Sequence, residues 1–446
     1  MKTILVLGAG LSSTSLIAYL LDHSTSLNWK VKVGDLSLET AQRKVNKHPN
    51  GSAFKFDLSD SKQLTTEIAG ADAVISMLPA FMHPVVAKEC VAQGKNMLTA
   101  SYVSDAMRSL DAEAKAKGIS LLNELGVDPG IDHMSAMKVI DEIKAKGGKM
   151  LGFMSNTGGL VAPEYDNNPW NYKFTWNPRN VVLAGQGVAQ YQEMGQVKFI
   201  PYHRLYSRAF TVNVLDMGEF EVYPNRDSLQ YKKIYSLENI PSIMRGTMRK
   251  NGYCKAWDVF VQLGATDDTY KVPDSEDLTY RSFINSFLAY HPTQTVEDKI
   301  RKEIPLANDP NIFSKLQWLG IFEEKKVGLP NASPAQIVQK ILEEKWVLDP
   351  EDKDMIVMQH RFDYELNGKK ERITSTLVIK GKDQLNTAMA ITVGTPLAIA
   401  TKLLLTGEIK DKGVVVPIKP HLYTPILKEL ENYGVKFIEE RTNLLS

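Results

Sequence analysis

The feature that most constrains the fold is a regular alternation of short apolar runs and amphipathic segments over residues 3–125. Segments of roughly ten residues with helical spacing separate the apolar runs. Near-continuous apolar strands between helices indicate parallel strands that are covered on both faces. The first part of the chain is therefore predicted to be a doubly wound α/β domain. The apolar runs are TILVLG, WKVKVGD, AFKFD, DAVISML, NMLTA and SLLNE.

The pattern changes after residue 130, where a helix at MSAMKVIDEIKAKGG leads into aromatic, turn-rich sequence that favours a mixed, mainly antiparallel sheet. Helical spacing returns over about 275–345, and Asn-Gly joins two alternating runs as in a hairpin. We predict a first domain over 1–130, joined by about 390–446. A second, mixed α+β domain is predicted over 131–390.

Charge and cysteine content bear on the classes of partner. Lys and Arg number 53 against 52 Asp and Glu, so no large single-sign field is present to recruit nucleic acid or a membrane surface. The 2 cysteines form neither a disulfide framework nor a CxxC metal site, which suits a reducing compartment, and we expect a cytoplasmic protein. The chain has no run of about 18 consecutive apolar residues and no metal-ligand motif, so neither a membrane-spanning helix nor a metal site is expected.

The segment GAGLSS follows the first predicted strand and opens a helix, which is the context of a dinucleotide-binding fingerprint. The first glycine permits a tight turn, the second lets the backbone approach a pyrophosphate, and the helix N-terminus offers free N–H groups. A serine stands where the fingerprint has its third glycine, which weakens the match, and a purely structural turn is the alternative. Cofactor contacts are predicted for Gly8, Gly10, Leu11, Ser12 and Ser13.

Asp35 lies at the tip of the second predicted strand, where an acid accepts hydrogen bonds from the adenosine ribose hydroxyls. A carboxylate there repels a 2′-phosphate, so the sequence favours NAD over NADP. Lys32 and Arg43 lie near enough in the sequence to keep NADP possible. The alternative for Asp35 is a solvated turn or a helix N-cap.

Two further strand ends are predicted to contact the cofactor. Asp57 and Leu58 follow the third strand and are expected near the adenine. Met77 and Leu78 follow the fourth strand and are expected beside the pyrophosphate or the nicotinamide ribose. Open α/β sheets bind ligands at the carboxyl ends of their strands, which is where all four residues fall.

The next two strand ends carry ASYVS and NELGVDPGIDH, so three consecutive strand ends converge on one crevice. At these segments the chain resembles the saccharopine dehydrogenase and reductase family, the L-glutamate-forming enzymes of lysine metabolism. The likeness spans nearly the whole chain in order. The other matching segments are GGLVAPE, NPWNYKFTW, YPNRDS, RGTMR, WLGIF, KDMIVMQH and TVGTPLAIATKLLLTGEIKDKGV.

The resemblance implies hydride transfer between saccharopine and a nicotinamide cofactor. Saccharopine joins the ε-nitrogen of lysine to the α-carbon of glutamate, and its oxidation gives an imine that water splits into L-glutamate and 2-aminoadipate 6-semialdehyde. The first domain then binds the dinucleotide, and the second binds substrate and forms a homodimer. No nucleic-acid or membrane partner is implied.

The resemblance also implies the roles of individual residues. Asp128 and Tyr102 are placed at the catalytic centre. Our hypothesis for their roles is that Asp128 is the base or the acceptor that orients water and that Tyr102 is its hydrogen-bonding partner. Arginine binds carboxylates bidentately, which suits the family's clamps. The implied substrate contacts are Ser101, Tyr102, Asp128, Arg226, Thr247, Met248 and Arg249, and the further cofactor contacts are Val127, Asp128, Pro129 and Trp176.

Several alternatives stay open. His133 titrates near neutrality, but it follows Asp132 at a helix start, where such a pair more often caps and orients. Relatives commonly have cysteine where Thr157 stands, so a thiol role at that position does not apply here. The competing functions are an NADP-linked saccharopine reductase in biosynthesis, a carboxynorspermidine-type dehydrogenase, and a non-catalytic dinucleotide-binding sensor of the same fold.

Overall fold

The computed structural model describes residues 1–444. The strands are β1 Lys2–Leu7, β2 Trp29–Asp35, β3 Gly51–Lys55, β4 Ala73–Ser76, β5 Asn96–Thr99, β6 Ser120–Leu122, β7 Lys149–Val161, β8 Val188–Glu193, β9 Gln196–Pro201, β10 Phe210–Asn213, β11 Glu219–Pro224, β12 Ser242–Lys250, β13 Asp354–Leu366, β14 Lys369–Lys380, β15 Gly413–Val415 and β16 Ile438–Asn443. The helices are α1 Thr14–Asp22, α2 Leu38–Val45, α3 Ser61–Ala69, α4 His83–Gln93, α5 Asp105–Arg108, α6 Asp111–Ala116, α7 Ile131–Ala145, α8 Pro178–Val182, α9 Tyr231–Ile234, α10 Tyr253–Leu263, α11 Tyr280–Asn285, α12 Val296–Glu303, α13 Pro310–Trp318, α14 Pro334–Glu343, α15 Ala388–Leu405 and α16 Pro420–Leu430.

The first compact unit comprises residues 1–148 and 377–437. Its sheet has the strand order β15-β6-β5-β4-β1-β2-β3, and every neighbouring pair is parallel. Because all strands run in one direction, their carboxyl ends lie along one edge of the sheet. Helices cover the strands, and β1 is fully buried over its last four residues. The predicted doubly wound parallel sheet is confirmed.

Helix α15 forms part of the core of this unit. Its 18 residues are long and apolar enough to cross a membrane, but 83% of that stretch is buried inside the protein. Gly394 brings it against α1 so closely that an added Cβ would lie 2.8 Å from the α1 backbone. The length argument applied to the sequence was therefore too strict. Polar residues interrupt the apolar run without making the helix as a whole polar.

The second unit comprises residues 149–376 and the described residues from 438 onward. Its sheet runs β10-β11-β12-β7-β13-β14-β16, with β8 and β9 attached through β12. The β12–β7 pair is parallel, whereas β11–β12, β13–β7 and β14–β16 are antiparallel. Helices α11–α14 form the helical subregion expected from the sequence. The predicted mixed α+β region is confirmed.

The boundaries of the units differ from the predicted domain limits. Helix α7 belongs to the first unit, where it packs against α16, so that unit extends to residue 148 rather than 130. Strand β16 pairs with β14 in the second sheet, although the prediction assigned the whole C-terminal stretch to the first domain. Strands β14 and β16 are about sixty residues apart in the chain, and no local sequence pattern predicts that two such distant segments pair.

Candidate active site

The glycine-rich turn after β1 depends on its first glycine. Gly8 has a φ of +102°, and its N–H donates to the Gly34 carbonyl at 2.8 Å. An added Cβ at Gly8 would lie 2.8 Å from the Met77 carbonyl oxygen, so a side chain is excluded. Gly10 differs, because an added Cβ there meets nothing within 4 Å. The open space over Gly10 fits the close approach of a dinucleotide pyrophosphate.

The residues after Gly10 form a short turn that leads into α1. Leu11 is exposed, Ser12 is half-buried, and the buried Ser13 donates its hydroxyl hydrogen to the Gly10 carbonyl at 2.8 Å. A local hydrogen bond thus accommodates serine in place of the third glycine. The close helix packing that this third glycine usually permits occurs here at Gly394 instead.

Asp35 holds the glycine-rich turn in place. One carboxylate oxygen accepts the Ala9 N–H at 2.7 Å, and the other accepts the Ser37 N–H at 2.9 Å. Each oxygen therefore already accepts one backbone N–H at the carboxyl end of β2. The next helix begins at once, and the Thr40 hydroxyl lies 3.0 Å from the Ser37 hydroxyl and 3.3 Å from the Arg43 guanidinium.

The other predicted cofactor residues of the first unit lie at the same edge of the sheet. Met77 and Leu78 are half-buried beyond β4, where the Met77 carbonyl faces the glycine-rich turn. Asp57 is exposed and accepts hydrogen bonds from the N–H and hydroxyl of Ser59, which hold the pKa of its carboxyl below the usual range. Leu58 packs against the core. The Asp57 carboxylate is thus engaged in its own turn.

A hydroxyl and a carboxylate meet where β5 and β6 end. The Tyr102 hydroxyl donates to Asp128 Oδ1 at 2.9 Å, Tyr102 is 39% exposed, and Asp128 is half-buried. Ser101, which precedes Tyr102 in the chain, is half-buried. The structure brings together Tyr102 and Asp128, which the sequence placed at two separate strand ends. A phenol bonded to a carboxylate can hold and exchange a proton with a bound substrate.

The turn that carries Asp128 is tightly closed. The Gly126 N–H donates to the Pro129 carbonyl at 2.9 Å, and the peptide bond between Asp128 and Pro129 is cis. Gly130 has a φ of +148°, and an added Cβ would lie 2.1 Å from the Gly126 carbonyl oxygen. Val127 and Pro129 are buried, so Asp128 is the member of this turn with the most accessible side chain.

Glu124 and His133 support the loops that carry the site. The sequence favoured a capping and orienting role for Asp132 and His133, whereas it gave no role to Glu124. Glu124 Oε2 lies 2.8 Å from His133 Nε2, and Glu124 Oε1 accepts the Val103 N–H at 3.0 Å. The Glu124 N–H also donates to the Ser101 carbonyl at 3.1 Å. Asp132 Oδ1 accepts the Gly130 N–H at 2.6 Å. These four contacts fix the loop of Ser101 and the turn of Asp128 in one framework.

His83 is a second residue that sequence reasoning missed. It is 3% exposed, its Nδ1 lies 2.8 Å from the Ser76 hydroxyl, and its Nε2 lies 2.7 Å from the Ser101 hydroxyl. Burial lowers the pKa of His83 to about 4. The signal available in the sequence was its place seven residues after a strand end, in the same loop as Met77 and Leu78.

In the second unit, Thr247, Met248 and Arg249 lie on β12. Thr247 is half-buried, whereas Met248 and Arg249 are 0% and 2% exposed. The Arg249 guanidinium carbon lies 5.1 Å from the Tyr172 ring centre and 5.3 Å from that of Tyr253, and Nη1 donates to the Met248 carbonyl at 2.9 Å. Arg249 is therefore enclosed by aromatic rings inside the unit.

Arg226 contrasts with Arg249, since it is exposed and has a φ of +48° at the end of β11. Its carbonyl accepts the Gln190 N–H at 2.8 Å, which fixes the backbone and leaves the guanidinium at the surface. Trp176 is 37% exposed, in the same unit. Thr157 on β7 lies opposite Thr247 in the parallel β12–β7 pair.

Comparison with known proteins shows the family of the chain. Residues 126–435 match the saccharopine dehydrogenase C-terminal domain, and residues 4–122 match the saccharopine dehydrogenase NADP binding domain. The chain belongs to the saccharopine dehydrogenase family. The resemblance inferred from its sequence motifs is confirmed.

Members of the saccharopine dehydrogenase family match over nearly the full chain. The saccharopine dehydrogenase [NADP(+), L-glutamate-forming] of Pyricularia oryzae is 34% identical over 98% of this chain and 99% of its own. The enzyme of the same name from Saccharomyces cerevisiae is 35% identical over 99% of both chains. A solved structure of apo saccharopine dehydrogenase (L-Glu forming) from Saccharomyces cerevisiae matches with a TM-score of 0.90 and 33% identity, over 99% of this chain and 100% of that one.

The prediction of NAD as the main cofactor is wrong. The matched N-terminal domain of the family is described as NADP binding, and both fungal relatives are named NADP(+) enzymes. The prediction treated the Asp35 carboxylate as free to meet the ribose, but its two oxygens accept the Ala9 and Ser37 N–H groups. The predicted cytoplasmic location and homodimer stay predictions.

Proposed function

We propose that this protein oxidises saccharopine with NADP(+) to L-glutamate and 2-aminoadipate 6-semialdehyde. The observation that carries the proposal is the 2.9 Å hydrogen bond from Tyr102 to Asp128 at the carboxyl edge of a nucleotide-binding sheet, in a chain of the saccharopine dehydrogenase family. A nicotinamide dinucleotide held by the glycine-rich turn would supply the acceptor for the hydride that leaves the lysine-derived carbon. The remaining work is proton transfer at the substrate nitrogen and at water.

Asp128 supplies the proton acceptor. The secondary amine loses its proton as the carbon–nitrogen double bond forms, and the half-buried carboxylate of Asp128 takes it up. As water adds to the imine carbon, the protonated Asp128 returns its proton to the nitrogen, and the carboxylate so regenerated takes one proton from the water. When the carbinolamine collapses, Asp128 gives that proton to the leaving nitrogen, the carbon–nitrogen bond breaks, and the proton of the carbinolamine hydroxyl passes to Asp128 and then to solvent as the aldehyde forms. The Tyr102 hydroxyl keeps Asp128 oriented through this exchange.

The N-cap of α2 and the helix itself supply groups for a 2′-phosphate. Ser37 and Thr40 offer hydroxyls, and Arg43 offers a guanidinium, the group best suited to phosphate. Ser37 follows the end of β2, where the adenosine ribose of a dinucleotide lies, and the Arg43 side chain reaches back from the last turn of α2 to Thr40. The open space over Gly10 fits the pyrophosphate. The residues present therefore suit NADP.

The reaction is tested by following the absorbance of the reduced nicotinamide with saccharopine and either NADP(+) or NAD(+), and by identifying both products. Turnover with NADP(+) and release of glutamate are expected. Stabilisation of the protein by NADPH without turnover of saccharopine or of related secondary amines would instead favour a dinucleotide sensor.

The cofactor assignment is tested with Arg43→Gln. We expect the KM for NADP(+) to rise by about tenfold and the KM for NAD(+) to change little, since one charge-assisted phosphate contact is lost. Arg204→Gln, at an exposed position of the second unit, is the matched control. Equal effects of Arg43→Gln on both cofactors would contradict its placement at the 2′-phosphate.

A further inference from the structure

The strand ends of β4 and β5 present two hydroxyls to one buried histidine. Ser76 and Thr99 are the last residues of these strands and lie opposite each other in the parallel register, so their side chains share a face of the sheet. His83, the first residue of α4, lies over that face. Its ring contacts the Ser76 hydroxyl on one side, and on the other side Nε2 lies 3.3 Å from the Thr99 hydroxyl.

The same ring reaches Ser101. His83 Nε2 lies 2.7 Å from the Ser101 hydroxyl, which makes this the shorter of its two contacts on that side. The Ser101 N–H donates to the Thr99 hydroxyl at 3.3 Å, so β5 holds the backbone of Ser101 while His83 holds its side chain. Ser101 in turn precedes Tyr102, whose hydroxyl donates to Asp128.

A neutral imidazole has one donor nitrogen and one acceptor nitrogen, so its two contacts have opposite senses. Burial keeps His83 neutral at physiological pH, with its pKa lowered to about 4. A neutral ring held at both nitrogens leaves the Ser101 hydroxyl only one role toward the ring, either donor or acceptor. The hydroxyl then keeps the complementary role for a bound substrate, as an acceptor if it donates to the ring and as a donor if it accepts from the ring.

We propose that His83 is a positioning residue that orients the Ser101 hydroxyl toward saccharopine through the Ser76–His83–Ser101 chain of hydrogen bonds. This inference rests on the proposed function, since saccharopine is the ligand that Ser101 is expected to bind. His83 does not touch the reacting atoms. Its effect is on substrate binding, and the cofactor site is unaffected.

The test compares two substitutions that each keep one side of the ring. The amide of Gln reaches the position of Nε2 and can still bond Ser101, whereas the amide of Asn reaches only the position of Nδ1 and loses Ser101. We expect His83→Asn to raise the KM for saccharopine by about 3- to 10-fold, the size of one lost hydrogen bond, and to leave the KM for NADP(+) unchanged. His83→Gln is expected to stay close to wild type.

A double-mutant cycle with Ser101→Ala separates positioning from packing. If His83 acts through Ser101, His83→Asn adds nothing to the KM of the Ser101→Ala variant, because the hydroxyl it orients is gone. Ser76→Ala removes the far anchor while keeping the ring, so a smaller rise in the same KM is expected. His23→Asn, at the half-buried C-terminal end of α1, is the matched control and should leave both KM values unchanged.

The outcomes separate this inference from the proposed function. A wild-type protein that does not oxidise saccharopine overturns the proposed function and the inference with it. A wild-type protein that does so, with a His83→Asn penalty that is fully additive with Ser101→Ala or falls equally on NADP(+), overturns the inference alone. If His83→Asn does not fold, Ser76→Ala and His83→Gln decide: an unchanged saccharopine KM in Ser76→Ala, or a tenfold rise in His83→Gln, overturns it.

Discussion

The two units carry their predicted functional residues in contrasting ways. In the first, Tyr102 and Asp128 lie in loops beyond β5 and β6, partly accessible and held by neighbouring side chains. In the second, Arg249 lies within β12, 2% exposed and enclosed by tyrosine rings. Loops beyond strand ends can present a group to a ligand, whereas a residue in a covered strand must satisfy its charge inside the protein. The two regions should therefore respond differently to substitution.

The largest effect is expected at Asp128. Asp128→Asn keeps the shape of the side chain and the hydrogen bond from Tyr102 but removes the proton acceptor, so kcat for saccharopine should fall by about 100-fold or more with little change in stability. Steady-state kinetics and thermal unfolding measure the two quantities. Near wild-type turnover at saturating saccharopine would remove Asp128 from the chemistry.

For Arg249 we expect a loss of stability, whereas for Asp128 we expect a loss of turnover. Arg249→Met removes a buried guanidinium that lies over three tyrosine rings. We expect the free energy of unfolding to fall by about 2 kcal/mol, the scale of a desolvated cation–π contact. Urea denaturation measures it. If Arg249→Met keeps full stability and loses only saccharopine binding, the contrast between the two units fails, and Arg249 is a substrate clamp despite its burial.

Low pH should destabilise the protein through protonation of His83 in the first unit. Its folded pKa is about 4, and the reference value for the unfolded chain is about 6.5. Between pH 6.5 and about pH 4 the unfolded chain therefore binds a proton at His83 and the folded protein does not. The free energy of unfolding consequently falls as the pH is lowered through this range. The loss at pH 5 should be about 2 kcal/mol. In His83→Asn this part of the pH dependence should disappear, and parallel curves for variant and wild type would contradict the burial of a neutral His83.

The smallest effect is expected at Arg226, the exposed arginine of the second unit. Arg226→Gln should raise the KM for saccharopine by about 3- to 10-fold through loss of one charge-assisted contact, with no change in unfolding. Kinetics at low salt measure it best, because exposed charges are screened. An unchanged KM would remove Arg226 from the predicted substrate contacts.

Local pattern was enough to predict several features. The alternation of apolar runs and helices predicted the parallel sheet, because each run is short, nearly continuous and buried on both faces. The spacing of Gly8 and Gly10 after the first strand predicted the turn. The pairing of Tyr102 with Asp128 followed from the rule that parallel strands end at one edge, together with the family motifs.

Only the tertiary structure showed which groups those residues bond. Asp35 suited a ribose by its place in the sequence, but its oxygens accept the Ala9 and Ser37 N–H groups, and the first of these contacts spans two strand ends. Glu124 meets His133, and His83 joins Ser76 to Ser101, through contacts that depend on how loops close over the sheet. Periodicity reports which face of an element is buried. The partner of each polar group is decided by packing among distant segments, which leaves no local signature.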